Sequence, residues 1–258
     1  MAIIFIYKLD NKMDLVLKRI QKCIENKSTN LDLSNMNLNI LPDNLPVWIT
    51  DLNCSFNQLS SLPDQLPRSL KTLICSNNPI TMLPNNLPDS LVTLFCSNTK
   101  ITKLPVRLPD LKILACRNCR IISLPAYLPD SLESLYCQNN KLTRLPKKLP
   151  FQIKDIVCSR NNITYFPLYI PKSLISFVCH ESKLKELPLL MRFRKSISIP
   201  YYNRANMFQT RAIRIVQLCF RENIEIKKWK RRFNQWIVYI RMCQFIDLDS
   251  SKIVAGYL

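Results

Sequence analysis

An α/β solenoid, with one short strand per turn stacked into a parallel sheet and a helical cap at each end, is the fold class this sequence predicts. Three observations predict it. Seven cysteines (Cys54, Cys75, Cys96, Cys116, Cys137, Cys158 and Cys179) recur at intervals of 21, 21, 20, 21, 21 and 21 residues. Apolar residues stand at fixed offsets from each cysteine, and 15 of the 17 prolines fall at two recurring places. A constant period of this length marks a stacked array whose units cannot bury their apolar faces alone.

The strand is the first element of each unit. Two residues before the cysteines come Leu52, Leu73, Leu94, Leu114, Leu135, Ile156 and Phe177, so each unit reads x-L-x-C-x. Alternate side chains of a strand point to opposite faces, which sends leucine and cysteine inward together and the residues between them outward. An earlier unit carries Leu31, Leu33, Leu38 and Leu41-Pro42 in the corresponding places, bringing the expected count to eight.

The turn out of the strand comes next. Three residues past the cysteines stand Asn57, Asn78, Thr99, Cys119, Asn140, Asn161 and Ser182. A short polar side chain turned inward here can satisfy peptide groups freed as the chain leaves the strand. Asparagine does so best because it both donates and accepts. Cys119 is a weak substitute, and Met36 in the first unit cannot serve. The return path is set by the two Leu-Pro pairs of each unit. Proline holds φ near −65° and donates no hydrogen bond, which suits an extended, polyproline-like convex side and forbids a helix there.

The resulting pattern, LPDxLPxSLxxLxCSxNxLxxLP over residues 31–188, resembles the short bacterial-type leucine-rich repeat of secreted effectors from bacterial pathogens. It is also similar to repeat proteins of giant DNA viruses of amoebae. The resemblance implies a scaffold that varies its ligands from protein to protein. It also suggests a ubiquitin-ligase effector as an enzymatic alternative, with a catalytic cysteine in a Cys-x-Asp setting. None of the 11 cysteines here is followed two places later by aspartate. The expected organisation is a helical cap over 1–29, repeats over 30–188, and a basic helical region over 189–258.

Composition narrows the function further. The chain has one glycine, Gly256, and one histidine, His180. Glycine-rich phosphate cradles are therefore absent, and most catalytic triads and histidine metal sites with them. Regular placement of the thiols in the strand core reads as small buried hydrophobes rather than a disulfide frame. Cys116-x-x-Cys119 has no second pair at zinc spacing. The apolar run AIIFIY at 2–7 is too short for a signal peptide, and WIVYI at 236–240 cannot span a bilayer. The expectation is a soluble, intracellular, monomeric, non-enzymatic protein that takes no cofactor, metal or small-molecule substrate.

At the ends, MDLVLKRIQKCIE over 13–25 predicts a capping helix that presents Leu17, Ile20 and Ile24, with Leu15 close by. Residues 189–258 hold 14 Lys or Arg against four Asp or Glu. Three readings of this tail stay open. It caps the last repeat, or it binds calmodulin through a loose IQ-like stretch at 216–227, or it binds nucleic acid or an anionic membrane through Lys227, Lys228, Trp229, Lys230, Arg231 and Arg232.

The remaining candidate is the concave face of the sheet. The residue before each cysteine is Asn53, Ile74, Phe95, Ala115, Tyr136, Val157 and Val178, six of them apolar or aromatic. Ile74, Phe95, Tyr136, Val157 and Val178 are the expected contacts for a partner protein, because an uncovered apolar stripe on a parallel sheet is a binding surface. Good strand formers shielding one another explain the same stripe without a partner. Lys100, Arg120, Lys141 and Lys183 lie four places past the cysteines, where they form either a basic border or an ordinary solvated rim.

Overall fold

The computed structural model describes residues 2–183, apart from 166, 168, 169 and 181, together with the short strand at 197–198. Everything described belongs to the first of two compact units into which the chain divides. Helix α1 (Ala2–Glu25) leads into eight strands of three residues each: β1 (Asn30–Asp32), β2 (Asp51–Asn53), β3 (Thr72–Ile74), β4 (Thr93–Phe95), β5 (Ile113–Ala115), β6 (Ser134–Tyr136), β7 (Asp155–Val157) and β8 (Ser176–Val178). A two-residue strand, β9 (Ile197–Ser198), pairs with β8, so the sheet continues one rung into the segment read from sequence as a helical tail.

All pairs are parallel, and the strands follow one another in chain order. The register is the one the repeat dictates, with Leu52 opposite Leu73, Leu73 opposite Leu94, and so on to Ile156 opposite Phe177. Each central strand residue is buried, and the cysteine column from Cys54 to Cys179 is 0% exposed. Each of these cysteines up to Cys158 donates its backbone N–H to the next unit's carbonyl just before the following cysteine, at 2.8–2.9 Å. The core is thus a column of leucine and thiol side chains, one pair per rung.

The asparagine column closes the turn, as its chemistry predicts. Asn57 Nδ2 donates to the carbonyls of Leu33, Cys54 and Ser55, and its Oδ1 accepts from the N–H groups of Met36 and Leu38. Asn78, Asn140 and Asn161 repeat the arrangement, each donating to the cysteine carbonyls of its own unit and the one before. Thr99 and Cys119 are the weak places: Thr99 Oγ1 reaches Cys96 O at 3.0 Å, and Cys119 Sγ reaches the same carbonyl at 3.4 Å.

Two further columns carry no role in the sequence reading. Two residues past each cysteine from Cys54 to Cys158 the backbone is left-handed: φ is 55° at Phe56, 58° at Asn77, 56° at Asn98, 54° at Asn118, 57° at Asn139 and 55° at Arg160. With glycine absent from the array, asparagine is the residue that tolerates this conformation best. The four asparagines also bond to each other in a file, from Asn98 Nδ2 to Asn77 Oδ1, Asn118 to Asn98 and Asn139 to Asn118, at 2.7–2.8 Å. On the return path, the serine of LPxSL, present at 69, 90, 131 and 173, ties its unit to the previous one. Ser69 Oγ donates toward Val47 O and Ile49 O, and Ser90 and Ser173 repeat the pair of contacts.

The 20-residue unit omits that serine. Its closing turn runs from Leu111 N to Pro109 O, two residues back, where the other units use three residues, as in Leu91 N to Pro88 O.

Helix α1 buries a different face from the one expected. Val16, Ile20 and Cys23 are buried, at spacings of four and three, whereas Leu15, Leu17 and Ile24 are 50%, 44% and 41% exposed. The reason is polar anchoring at the helix end. Cys23 Sγ donates to Ser28 O, and Arg19 Nη1 donates to Asp32 O at 2.8 Å; both contacts turn the Val16 face toward β1. A cap at the other end lies outside the described residues.

Two measurements test this account. Replacing Asn78 with leucine strands the backbone groups it serves and costs about 3 kcal/mol in denaturant unfolding, while Arg160→Asn, which removes a left-handed arginine, adds about 1 kcal/mol. An Asn78→Leu variant as stable as the parent would contradict the role of the column.

Candidate binding face

The open side of the sheet is built by the residues that flank each buried central position. Ile74, Phe95, Ala115, Tyr136, Val157 and Val178 stand opposite one another in unbroken register. The binding reading expected them to face solvent, with mutual shielding as its alternative. Ile74, Phe95, Tyr136, Val157 and Val178 are half-buried, and Ala115 is only 6% exposed. Rungs about 4.8 Å apart let each side chain cover part of its neighbour, and the small Ala115 lies between Phe95 and Tyr136.

The next column toward the turn is partly consumed by the fold. Ser55 and Ser97 are buried. Ser76, Ser97 and Ser159 hydroxyls accept the N–H groups of Ser97, Arg117 and His180 from the following rungs, at 3.0–3.2 Å. In the same column, Gln138 Oε1 is buried with no hydrogen-bond partner, the one such side-chain atom among the described residues. A buried acceptor left unpaired costs about 1–3 kcal/mol. On the other flank, Thr72, Thr93, Ser134 and Ser176 are half-buried, and so are Asp51 and Asp155.

The thiols under this face are free and buried. Burial pushes Cys54 and Cys137 up to about 12, and drives Cys75, Cys96 and Cys116 well above the ordinary value, with neighbouring thiols of the column adding to the effect. Neutral thiols below such values are poor nucleophiles and poor metal ligands. Cys119 Sγ is occupied by Thr99 and by the carbonyls of Cys96 and Arg117. Among the described residues no three His, Cys, Asp or Glu side chains stand together to hold a metal, and no helix is long and apolar enough to cross a membrane. Lys227, Lys228, Trp229, Lys230, Arg231 and Arg232, with the tail readings that rest on them, lie outside the described residues.

Sequence reasoning located the face but missed Gln138 and the internal use of the serines. Only the change from serine to glutamine in that column signals the former. The serine hydroxyls carry no signal that separates a bond within the fold from one offered to a partner.

No family model matches the chain, and no curated protein matches it. Solved structures do. The leucine-rich repeat domain of a Shigella effector is 35% identical, with a TM-score of 0.60, over 73% of this chain and 89% of that one. YopM, a leucine-rich effector from Yersinia pestis, is 27% identical with a TM-score of 0.61, and the match covers 75% of this chain and 63% of YopM. The functional domain of InlJ from Listeria monocytogenes, which includes a cysteine ladder, shares the fold at 23% identity and a TM-score of 0.54, over 69% of this chain and 42% of that one.

The raised thiols make stability fall in alkali. The unfolded chain loses thiol protons near 9.0, whereas folded Cys54 and Cys137 hold theirs to about 12. Their contribution is therefore complete below pH 9 and is lost as the pH rises toward 12, by up to about 1.4 kcal/mol per pH unit for each thiol. Denaturant midpoints measured from pH 8 to 11 should decline, and less steeply in Cys54→Ala/Cys137→Ala; equal slopes would show that these thiols are not held neutral by burial.

The stacked columns, the parallel three-residue strands and the likeness to the Shigella domain together place the chain in the leucine-rich repeat family of the short bacterial type.

Proposed function

We propose that this protein is a non-enzymatic interaction scaffold that holds one partner protein on the open face of its sheet, with Phe95 and Tyr136 at the centre of the contact. The fold itself is that of a protein-interaction scaffold, and its neighbours are repeat proteins of that kind. The observation that carries the reading is the half-buried apolar column of Ile74, Phe95, Tyr136, Val157 and Val178, continuous over six rungs. Aromatic residues at the middle of such a stripe are the usual anchors of a protein interface. Gln138 supports the choice, because a partner N–H brought beside Tyr136 would satisfy its orphaned oxygen.

The half-buried state bears on affinity as well as location. Side chains already packed against neighbours lose little rotamer freedom on binding, so less of the contact energy is spent on ordering them. The buried thiols take no part in this scheme. Tail-mediated binding, of calmodulin through the IQ-like stretch at 216–227 or of nucleic acid or anionic membrane through Lys227–Arg232, is a separate reading that rests on the tail's charge and aromatic content.

Aspartate at Phe95 and Tyr136 together should lower capture of a native-cell partner at least about tenfold while leaving circular dichroism and the melting temperature unchanged. Undiminished capture by this folded variant would move the contact elsewhere.

A further inference from the structure

Charge in the repeats is segregated by which half of the unit it occupies. Between Cys54 and Tyr165, every Asp and Glu lies on the return path or in the strand: Asp64, Asp89, Asp110, Asp130, Glu133 and Asp155. The eight-residue stretch that starts at each cysteine of these units contains none. Six of the seven cations in these stretches gather on three consecutive units, and Arg160 after Cys158 is the seventh. Lys100 and Lys103 follow Cys96, Arg117 and Arg120 follow Cys116, and Lys141 and Arg144 follow Cys137; all six are exposed.

These same three units supply Phe95, Ala115 and Tyr136 of the open face. The six cations stand on a fixed backbone. Lys100, Arg120 and Lys141 each donate their N–H to a carbonyl of the preceding unit, those of Ile80, Ile101 and Ile121, at 2.8–2.9 Å. Lys103 is bridged in parallel to Ser123, and Arg144 to Tyr165. One acid of the opposite half, Glu133, is held by Lys112 and Lys154 on its own side, which keeps its carboxyl below the usual range through the Lys154 hydrogen bond and charge.

We propose that this cationic edge recognises an acidic segment of the partner polypeptide, one that sets apolar side chains against Phe95 and Tyr136 and carboxylates against Lys100, Arg120, Lys141 and their neighbours. The inference rests on the proposed protein-binding role of the open face and specifies the chemistry of what binds there. Arginine forks at 117, 120 and 144 suit carboxylate, and stacking sets the backbones of Lys100, Arg120 and Lys141, one column on successive rungs, about 4.8 Å apart. A polypeptide is favoured over nucleic acid for two reasons. The three stretches contain no aromatic residue, and Phe95 and Tyr136 beside them are half-buried, which leaves little ring face on which bases could stack. A sugar-phosphate backbone also has no apolar side chains to offer the aromatic pair alongside its charge.

The test uses the full chain and fluorescence anisotropy with a labelled peptide of glutamates interspersed with leucine and phenylalanine. Its controls are the same peptide with glutamine for glutamate, and a short DNA duplex. The acidic peptide should bind at least about tenfold more tightly than the glutamine peptide, and Lys100→Glu/Arg120→Glu/Lys141→Glu should weaken it by a similar factor. Arg68→Glu/Arg107→Glu/Lys147→Glu, with the same net charge change on the return path, should weaken it less than about twofold. Equal loss in the two triple variants, or duplex binding as tight and as sensitive to the first, would overturn the proposal by showing a general polyanion effect. If Phe95→Asp/Tyr136→Asp loses the peptide while the first triple variant keeps it, the edge is wrong and the face stands. If the triple variant loses the peptide and the aromatic variant keeps it, the edge stands and the central role of the aromatic pair is wrong.

Discussion

Peptide groups that leave a three-residue strand for a buried turn must find partners within one or two residues, because water does not reach them. That requirement shapes every unit of this array. Parallel strands this short supply few ladder bonds of their own, and the leucine and cysteine side chains exert no directional pull. Asn78, Asn140 and Asn161 meet the need by bonding their own cysteine carbonyl and that of the rung before, and Asn57 does the same with Cys54 and Leu33. One side chain thereby closes a turn and joins two units. The hydrophobic column sets how much stability is available, and the polar column sets the register in which it is collected.

A consequence for function is that the open side of the sheet carries less structural duty than the core side, its share being the serine bonds between rungs and the shielding within the apolar column. Leu73, Leu94 and their equivalents face the core, so the alternating positions tolerate more change than the buried ones. The run from Ile74 to Val178 occupies that permitted space. Within the stretches beyond the cysteines, Lys100, Arg120 and Lys141 enjoy the same freedom, since their backbone N–H groups bond to the preceding unit while neighbouring side chains such as Asn140 close the turn. The positions that vary and the positions that join the rungs thus alternate along one repeat.

Much of this was legible in the amino-acid sequence because a stacked array converts spacing directly into position. The strand placement, the register, the buried thiols and the polar role of the asparagines all follow from offsets to Cys54 and its successors. The left-handed column was not legible in the same way. Spacing gives the place of Asn77, Asn98, Asn118 and Asn139 but not the sign of φ, and Phe56 and Arg160 in the same column conceal the preference. The clue available was chemical: an array without glycine must use another residue wherever φ is positive. The face of α1 was misjudged because Leu17 and Ile24 are more apolar than Cys23, while the contact is decided by what Arg19 and Cys23 can reach on Asp32 and Ser28. The exposure of the open column was overestimated because alternation along a strand is silent about shielding between strands, which is strongest where Ala115 sits between two rings.

The shortened unit concentrates several departures at one place. Thr99 and Cys119 stand where asparagine would join neighbouring rungs, and the serine that would tie Leu111's unit to the one before is missing. A linear array in which each unit touches only its neighbours separates most readily at its poorest joint. Here that joint lies beneath Phe95, Ala115 and Tyr136. Any molecule laid across those three residues would brace that joint from outside, adding to the stack the cross-link that its own side chains supply least well there.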